Sequence, residues 1–369
     1  MADPGGELSR REFLAMSALV SGGAIFVACG GSAVVPSSLA GKKMESALNL
    51  YNWSDYDDPN TIKAFQAKFP SVTLAQDTYA SNEDMLAKIE AGAKGYDIVV
   101  PTGYMVQIMI AKNLLYPIDH DLLPNYKNID ARFTQSGYDT GNRYSVPKDW
   151  GTTGFGFRKD KISEPMSTWK DFFGLAPKYS GKISVLDGAN ETIGSALKYL
   201  GYSYNSDNDS ELAKARSTLL SFKPHVKVIT SSDYKSLLTK GDVWYSMGWN
   251  GDFAALQAQT PTPPVQYVIP DEGSEFWVDT WAILKTAPNP VAAHAFINFI
   301  LDPAIEAQEC NYTAYANPET AALANIKDAI KSDPTVYPSP ATLAKLESNK
   351  PSAKGQRMRD QIYTEFKAA

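Results

Sequence analysis

Histidine and cysteine are nearly missing from this chain. His120, His225 and His294 stand far apart, and Cys29 and Cys310 make up the whole cysteine complement. No pair of either type stands at zinc spacing, and two cysteines cannot build a framework of several disulfides. Structural zinc, histidine-based catalysis and a disulfide-stapled scaffold are therefore set aside, and no metal is expected. Basic runs are missing too: 35 Lys and Arg against 41 Asp and Glu leave a net charge of −6, which argues against a nucleic-acid partner and favours cationic ligands. Phosphate loops are lacking, because Gly154-Phe155-Gly156 has neither the third glycine nor the acidic partner of a dinucleotide site. No Gly-x-Ser-x-Gly elbow or His-Glu-x-x-His pair occurs. No cofactor is expected.

What is present is a long, aromatic-rich chain. Its 369 residues are about twice the usual domain size, so two lobes with separate cores are expected. The content of 44% hydrophobic residues supports folded cores, and 20 Tyr and 7 Trp supply many rings. Ser9-Arg10-Arg11-Glu12-Phe13-Leu14 leads into an apolar stretch from Phe13 to Ala28 that is too short and too broken by glycine to span a bilayer. This segment resembles a twin-arginine export signal. Ala28-Cys29-Gly30-Gly31-Ser32 looks like a lipobox, although Phe26 stands where Leu is usual. Residues 1–28 are read as the signal, Cys29 as the lipidation site and 29–45 as a flexible tether. The protein is then expected outside the cytoplasm, held to the membrane by its lipid. Cys310 is left as a single structural thiol.

Along the mature chain, short apolar runs alternate with helical patterns, the signature of an α/β fold with mostly parallel sheets. Strands are expected at Leu48 to Tyr51, Val72 to Leu74 and Asp97 to Val100, with a helix opening at Pro59 and another capped at Ser81. A second series begins near Gly151, with strands at 183–186, 226–229 and 243–247. A long strand follows from Phe276 to Leu284, then an apolar helix from Val291 to Leu301.

In open α/β sheets ligands bind beyond the carboxyl ends of strands, and there one combination of residue types recurs. Trp53-Ser54-Asp55-Tyr56 follows the first strand and Thr102-Gly103-Tyr104 the third. Asp187 to Glu191, then Trp249-Asn250-Gly251-Asp252, follow two strands of the second series, and the long strand itself carries Trp277 and Asp279. Ring faces attract ammonium groups, carboxylates pair with them, and flat rings cover methylenes. The match is to a flexible cation such as a polyamine. A sugar would stack on the same rings but would need more amides and bases to read its hydroxyls. Trp150 is read as a packing residue at the crossing between lobes. Three other readings stay open: a receptor for another cation or small sugar, a polyamine sensor for a signalling partner, and a secreted hydrolase using Glu191 and Asp279 as acid and base.

At these residues the chain resembles the spermidine/putrescine-binding proteins of bacterial ABC importers, from about residue 46 to its C-terminus. Tyr51 to Tyr56, Ser81-Asn82-Glu83, Pro101 to Tyr104, Trp150 to Gly154, Asp187 to Glu191, Trp249 to Asp252, Phe276 to Asp279 and Tyr315 to Pro318 carry the likeness. The resemblance implies a two-lobed periplasmic-binding-protein fold, hinged around a ligand cleft, acting as a monomer that delivers one polyamine to a permease without chemistry. It implies lobe 1 at 46–150 and 277–315, and lobe 2 at 151–276 and 316–369. Trp53, Trp249 and Trp277 would box the methylene chain, with Tyr56, Tyr104 and Tyr315 around it and Ser54 and Thr102 offering hydroxyls. Glu191, Asp252 and Asp279 would pair with ammonium groups, and Asp55 would assist. Spermidine-preferring members look to carry an acid where this chain has Gly188, so the pattern leans to putrescine.

Overall fold

The computed structural model describes residues 39 to 369 except Pro351. The export signal, Cys29 and the first part of the tether lie outside the described residues.

Ten strands form one continuous sheet system: β1 (Ala47–Trp53), β2 (Thr73–Tyr79), β3 (Ile98–Val99), β4 (Ser145–Arg158), β5 (Ile183–Val185), β6 (Val226–Ile229), β7 (Tyr245–Trp249), β8 (Val265–Val268), β9 (Glu275–Ile283) and β10 (Glu347–Ser348). The order is β2-β1-β3-β9-β4-β7-β5-β6, with β8 beside β4 and β10 beside β9. The expectation of mostly parallel sheets needs correction. Each end of the system is a parallel triplet, β2-β1-β3 and β6-β5-β7, but β9 runs antiparallel to β3 and to β4, and β4 runs antiparallel to β7 and β8. The sheet is mixed because two long strands return through its middle.

The parallel triplets are wound with helices whose starts were legible. Pro59 opens α1 (Pro59–Lys68) with Asp58 capping it, and the Ser81 hydroxyl accepts from the Asp84 N–H at the head of α2 (Asn82–Glu90). Next come α3 (Gly103–Ala111), α4 (Trp169–Gly174), α5 (Ala189–Tyr199), α6 (Asp209–Phe222), α7 (Tyr234–Lys240), α8 (Asn250–Gln257), α9 (Pro290–Ile300) and α10 (Pro303–Thr313), and a helix over Ala353–Ala368 ends the chain.

The cores divide along β4. Up to Thr152 this strand pairs with β9, and from Thr153 it pairs with β7. Val146 and Trp150 accordingly lie in one apolar cluster with Phe65, Trp281 and Phe296, whereas Phe155 and Phe157 lie in a second with Trp169, Phe172 and Tyr245. A third cluster, around Met85, Tyr104 and Met109, lies against the β2-β1-β3 triplet. Three chain crossings sit side by side, since Gly151 is the register partner of Trp277 and Trp150 bridges Ala316. Trp150 packs in the first core with its indole N–H on the Asn317 carbonyl. Ala316, Ala322, Ile326, Ile330 and Val336, from the segment read with the second lobe, contribute to the first core. The second core instead takes Ile362 and Phe366 from the final helix.

Candidate ligand-binding site

A cleft of about 780 Å³, counting space open to solvent, lies where the carboxyl ends of β1 and β7 meet β9. Eleven of the twelve residues singled out in the sequence line it, the exception being Tyr104. Its rings are held at fixed angles. Trp53 donates its indole N–H to the Val100 carbonyl at 2.9 Å and meets Trp249 edge-on, with centroids 6.0 Å apart. Tyr315 stands between Trp277 and Tyr56, edge-on to both at 5.1 and 5.6 Å. Two glycines make this close fit possible. A Cβ at Gly251 would come within 2.4 Å of the Tyr315 ring, and one at Gly151 within 2.5 Å of the Trp277 ring.

Asp279 is a closely held acid. Its Oδ1 accepts from the Thr102 hydroxyl at 2.6 Å and its Oδ2 bonds the Tyr56 hydroxyl at 2.8 Å. Tyr56 also bonds Asp149, which a bulge at Lys148 sets opposite Asp279 across the β4–β9 pair. Behind them Lys148 is fully enclosed: its Nζ donates to the Tyr56 carbonyl (3.0 Å) and to Asp149 (3.2 Å), lies 3.7 Å from Asp57 and stands 4.0 Å over the Tyr56 ring. Burial, and then the charge of Asp149, push the Asp279 carboxyl up to about 7.

At the other end Glu191 lies beneath the start of α5, folded over Gly188 so that a Cβ there would meet its Oε2 at 2.1 Å. A side chain at position 188 is thus excluded by Glu191 itself. Asp187 is turned away from the cleft and accepts from Tyr363 and Lys367 of the final helix, each at 2.8 Å. Sequence reasoning missed Glu275, a buried cleft residue that accepts from the Thr153 hydroxyl at 2.9 Å. Burial and the neighbouring charge of Glu275 push Glu191 well up, and burial pushes Glu275 up to about 7. The signal for Glu275 was present: Glu275, Trp277 and Asp279 alternate along one strand and so share a face.

Three of the twelve are engaged by other residues of the chain. Tyr104, at the head of α3, is buried in the third cluster and donates to Glu83 at 2.9 Å rather than lining the cleft. Asp55 and Asp252 do line it, each already paired within the chain: Lys235, which was also missed, donates to Asp55 at 3.0 Å and to Asp252 at 3.1 Å. Tyr79, Ala80, Ser231 and Ser232 complete the wall.

The model of the bacterial extracellular solute-binding protein family matches residues 60–338. The chain belongs to that family. It is 33% identical to the putrescine/cadaverine-binding protein of Pseudomonas aeruginosa, over 90% of this chain and 98% of that protein. It is 32% identical to the spermidine/putrescine-binding periplasmic protein of Escherichia coli, over 92% and 96%. Among solved structures, the spermidine/putrescine ABC transporter substrate-binding protein of Streptococcus pneumoniae superposes with a TM-score of 0.72 at 31% identity, covering 88% of this chain and 99% of that one. The fold is accordingly the two-lobed substrate-binding fold, with the cleft between its lobes. Among the described residues no helix is long and apolar enough to cross a membrane.

Proposed function

We propose that this solute-binding protein captures a polyamine, with putrescine preferred, and hands it to the permease of an ABC importer without chemistry on the ligand. The observation that carries this reading is the cleft itself. Trp53, Trp249, Trp277, Tyr56 and Tyr315 surround a space whose inner wall bears Asp279, Glu191 and Glu275. Rings against methylenes and buried carboxylates against ammonium groups suit a short aliphatic dication. Ser54 and Thr102 border the same space, Thr102 by orienting Asp279. Gly188 and the diverted Asp187 favour putrescine over spermidine, as do the names of two relatives, the putrescine/cadaverine-binding and putrescine-binding proteins of Pseudomonas aeruginosa, whereas the Escherichia coli relative is named for both ligands. The lobes closing on the ligand are 46–150 with 277–336 and 151–276 with the final helix, since 316–336 packs on the first core and Ile362 and Phe366 on the second. Export by the twin-arginine signal, acylation at Cys29 and a monomeric state belong to the same reading.

Titration calorimetry against putrescine, spermidine, spermine and a neutral sugar tests it. The expected result is one-to-one binding, tightest for putrescine, and no heat with the sugar. Folded, ligand-free protein that gives no heat with any polyamine overturns the reading, and product release from oligosaccharides would replace it with the hydrolase.

A further inference from the structure

The acids at the mouth of the cleft are answered by the protein itself. The Lys235 ammonium, at the second position of α7, bonds one oxygen of Asp55 and one of Asp252. The other oxygens of the same carboxylates accept from phenols, Tyr312 into Asp55 at 2.7 Å and Tyr234 into Asp252. Each carboxylate therefore holds one ammonium and one hydroxyl from the chain. Asp55 follows β1 on the side of the first core, whereas Lys235 and Asp252 stand on helices beside the second, so the ammonium lies across the cleft. Deeper in, the balance differs: among the described residues no lysine or arginine comes within ion-pair distance of Asp279, Glu191 or Glu275. Lys148 is turned to Asp149 and Asp57, and Arg359 to the Tyr204 carbonyl.

We infer that Lys235 is a specificity-determining residue, a tethered ammonium that occupies the outer cation position of the cleft and so sorts ligands by length and charge number. The inference rests on the reading of the cleft as a polyamine site. A diamine places both ammonium groups on the inner acids and leaves Lys235 where it is. A triamine long enough to reach the mouth brings a third ammonium to Asp55 and Asp252, and has to displace Lys235 to be paired there. The inner carboxylates reward the ligand; the outer pair is already filled. Asp252, the more enclosed of the two, carries most of the discrimination, since an exposed carboxylate such as Asp55 is well screened by water.

The test is calorimetry of putrescine and spermidine on the wild-type chain, Lys235→Met and Lys235→Arg. Methionine keeps the apolar stem and removes the charge; arginine keeps the charge. The ratio of spermidine to putrescine affinity is expected to rise by about tenfold in Lys235→Met, the effect of vacating one partly buried ion-pair position, and to change by less than about threefold in Lys235→Arg. An unchanged ratio in Lys235→Met overturns the inference, as does an equal loss for both ligands with the melting temperature retained, which would make Lys235 a latch. A wild-type chain with no affinity for either ligand overturns the reading of the cleft and this inference with it. Binding by the wild type with an unchanged ratio in the variant overturns the inference alone.

Discussion

Capture of a cation at Asp279 is expected to expel a proton, and the hydrogen-bond inventory requires it. The Tyr56 hydroxyl has one hydrogen but contacts two carboxylate oxygens, one of Asp149 and one of Asp279. Two ionised carboxylates there would leave one of them facing a lone pair, buried, and the two side chains are directly opposed like charges in a β ladder. Below about pH 7 one of them holds a proton. Lys148 is 3.2 Å from Asp149 and favours its ionised form, so below about pH 7 the proton belongs on Asp279, with Tyr56 donating to Asp149 and the Asp279 carboxyl donating to Tyr56. The upward shift of Asp279 to about 7 agrees with that assignment.

An ammonium group placed against Asp279 favours the carboxylate, so binding below pH 7 includes the cost of ionising it. That cost is about 1.36 kcal/mol per pH unit, hence about 2.7 kcal/mol, or a hundredfold in affinity, at two units below the value of about 7. Polyamine affinity should be nearly flat from pH 8 to pH 7 and fall about tenfold per unit from there to pH 5, with Glu275 adding to the slope in the same direction. Calorimetry near pH 6, in two buffers of different ionisation enthalpy, should show close to one proton or more released per ligand. The variant Asp149→Asn removes the opposing charge and should move the fall to lower pH. Affinity independent of pH from 5 to 8 with no proton release, or an identical profile in Asp149→Asn, would refute the shared-proton argument.

Three further outcomes follow from the same residues. Trp277→Ala and Asp279→Asn should each weaken polyamine binding by more than about 1 kcal/mol, the scale of a partly desolvated cation contact, as read by calorimetry. Gly251→Ala should weaken binding through displacement of the Tyr315 ring and lower stability by about 1–3 kcal/mol, as overpacking does; an unshifted urea midpoint would show that the ring yields freely. The ligand-free protein should melt at higher temperature at pH 6 than at pH 8. Asp279 and Glu275 are pushed up to about 7, and Glu309 and Glu319 to about 8, all by burial first. The folded state thus binds more protons than the unfolded one across this window, and its stability falls as pH rises. His294, whose pKa burial lowers, acts in the opposite sense but is one group against four. A higher melting temperature at pH 8 would contradict the burial of these acids as charged-or-neutral switches.

How far the site was legible in the sequence depended on where its information lay along the chain. Trp53, Trp249 and Trp277 could be placed because each follows or occupies an apolar run with strand character, and a strand end is a local feature. The strand β4 could not, because Ser145 to Arg158 contains Pro147, Lys148, Asp149 and three glycines, a composition that reads as loop. Those residues are tolerated since each glycine admits a neighbour's side chain or carbonyl, as Gly151 does for Trp277, and since the charges find partners from distant segments. Tyr104 lies off the cleft lining for a related reason. It has the right residue type after the right strand, but the helix begins at Gly103 and carries the ring into a cluster with Met105 and Met109. Lys235 shows the limit most clearly: on its own helix it is an ordinary lysine, and only the fold brings Asp55, 180 residues away, to its ammonium. Residue types at strand ends forecast which surfaces form the cleft; which charges in it remain unpaired is decided by contacts between segments. Ligand preference therefore has to be read from the pairing of Asp252 and the isolation of Asp279, and not from the number of acids alone.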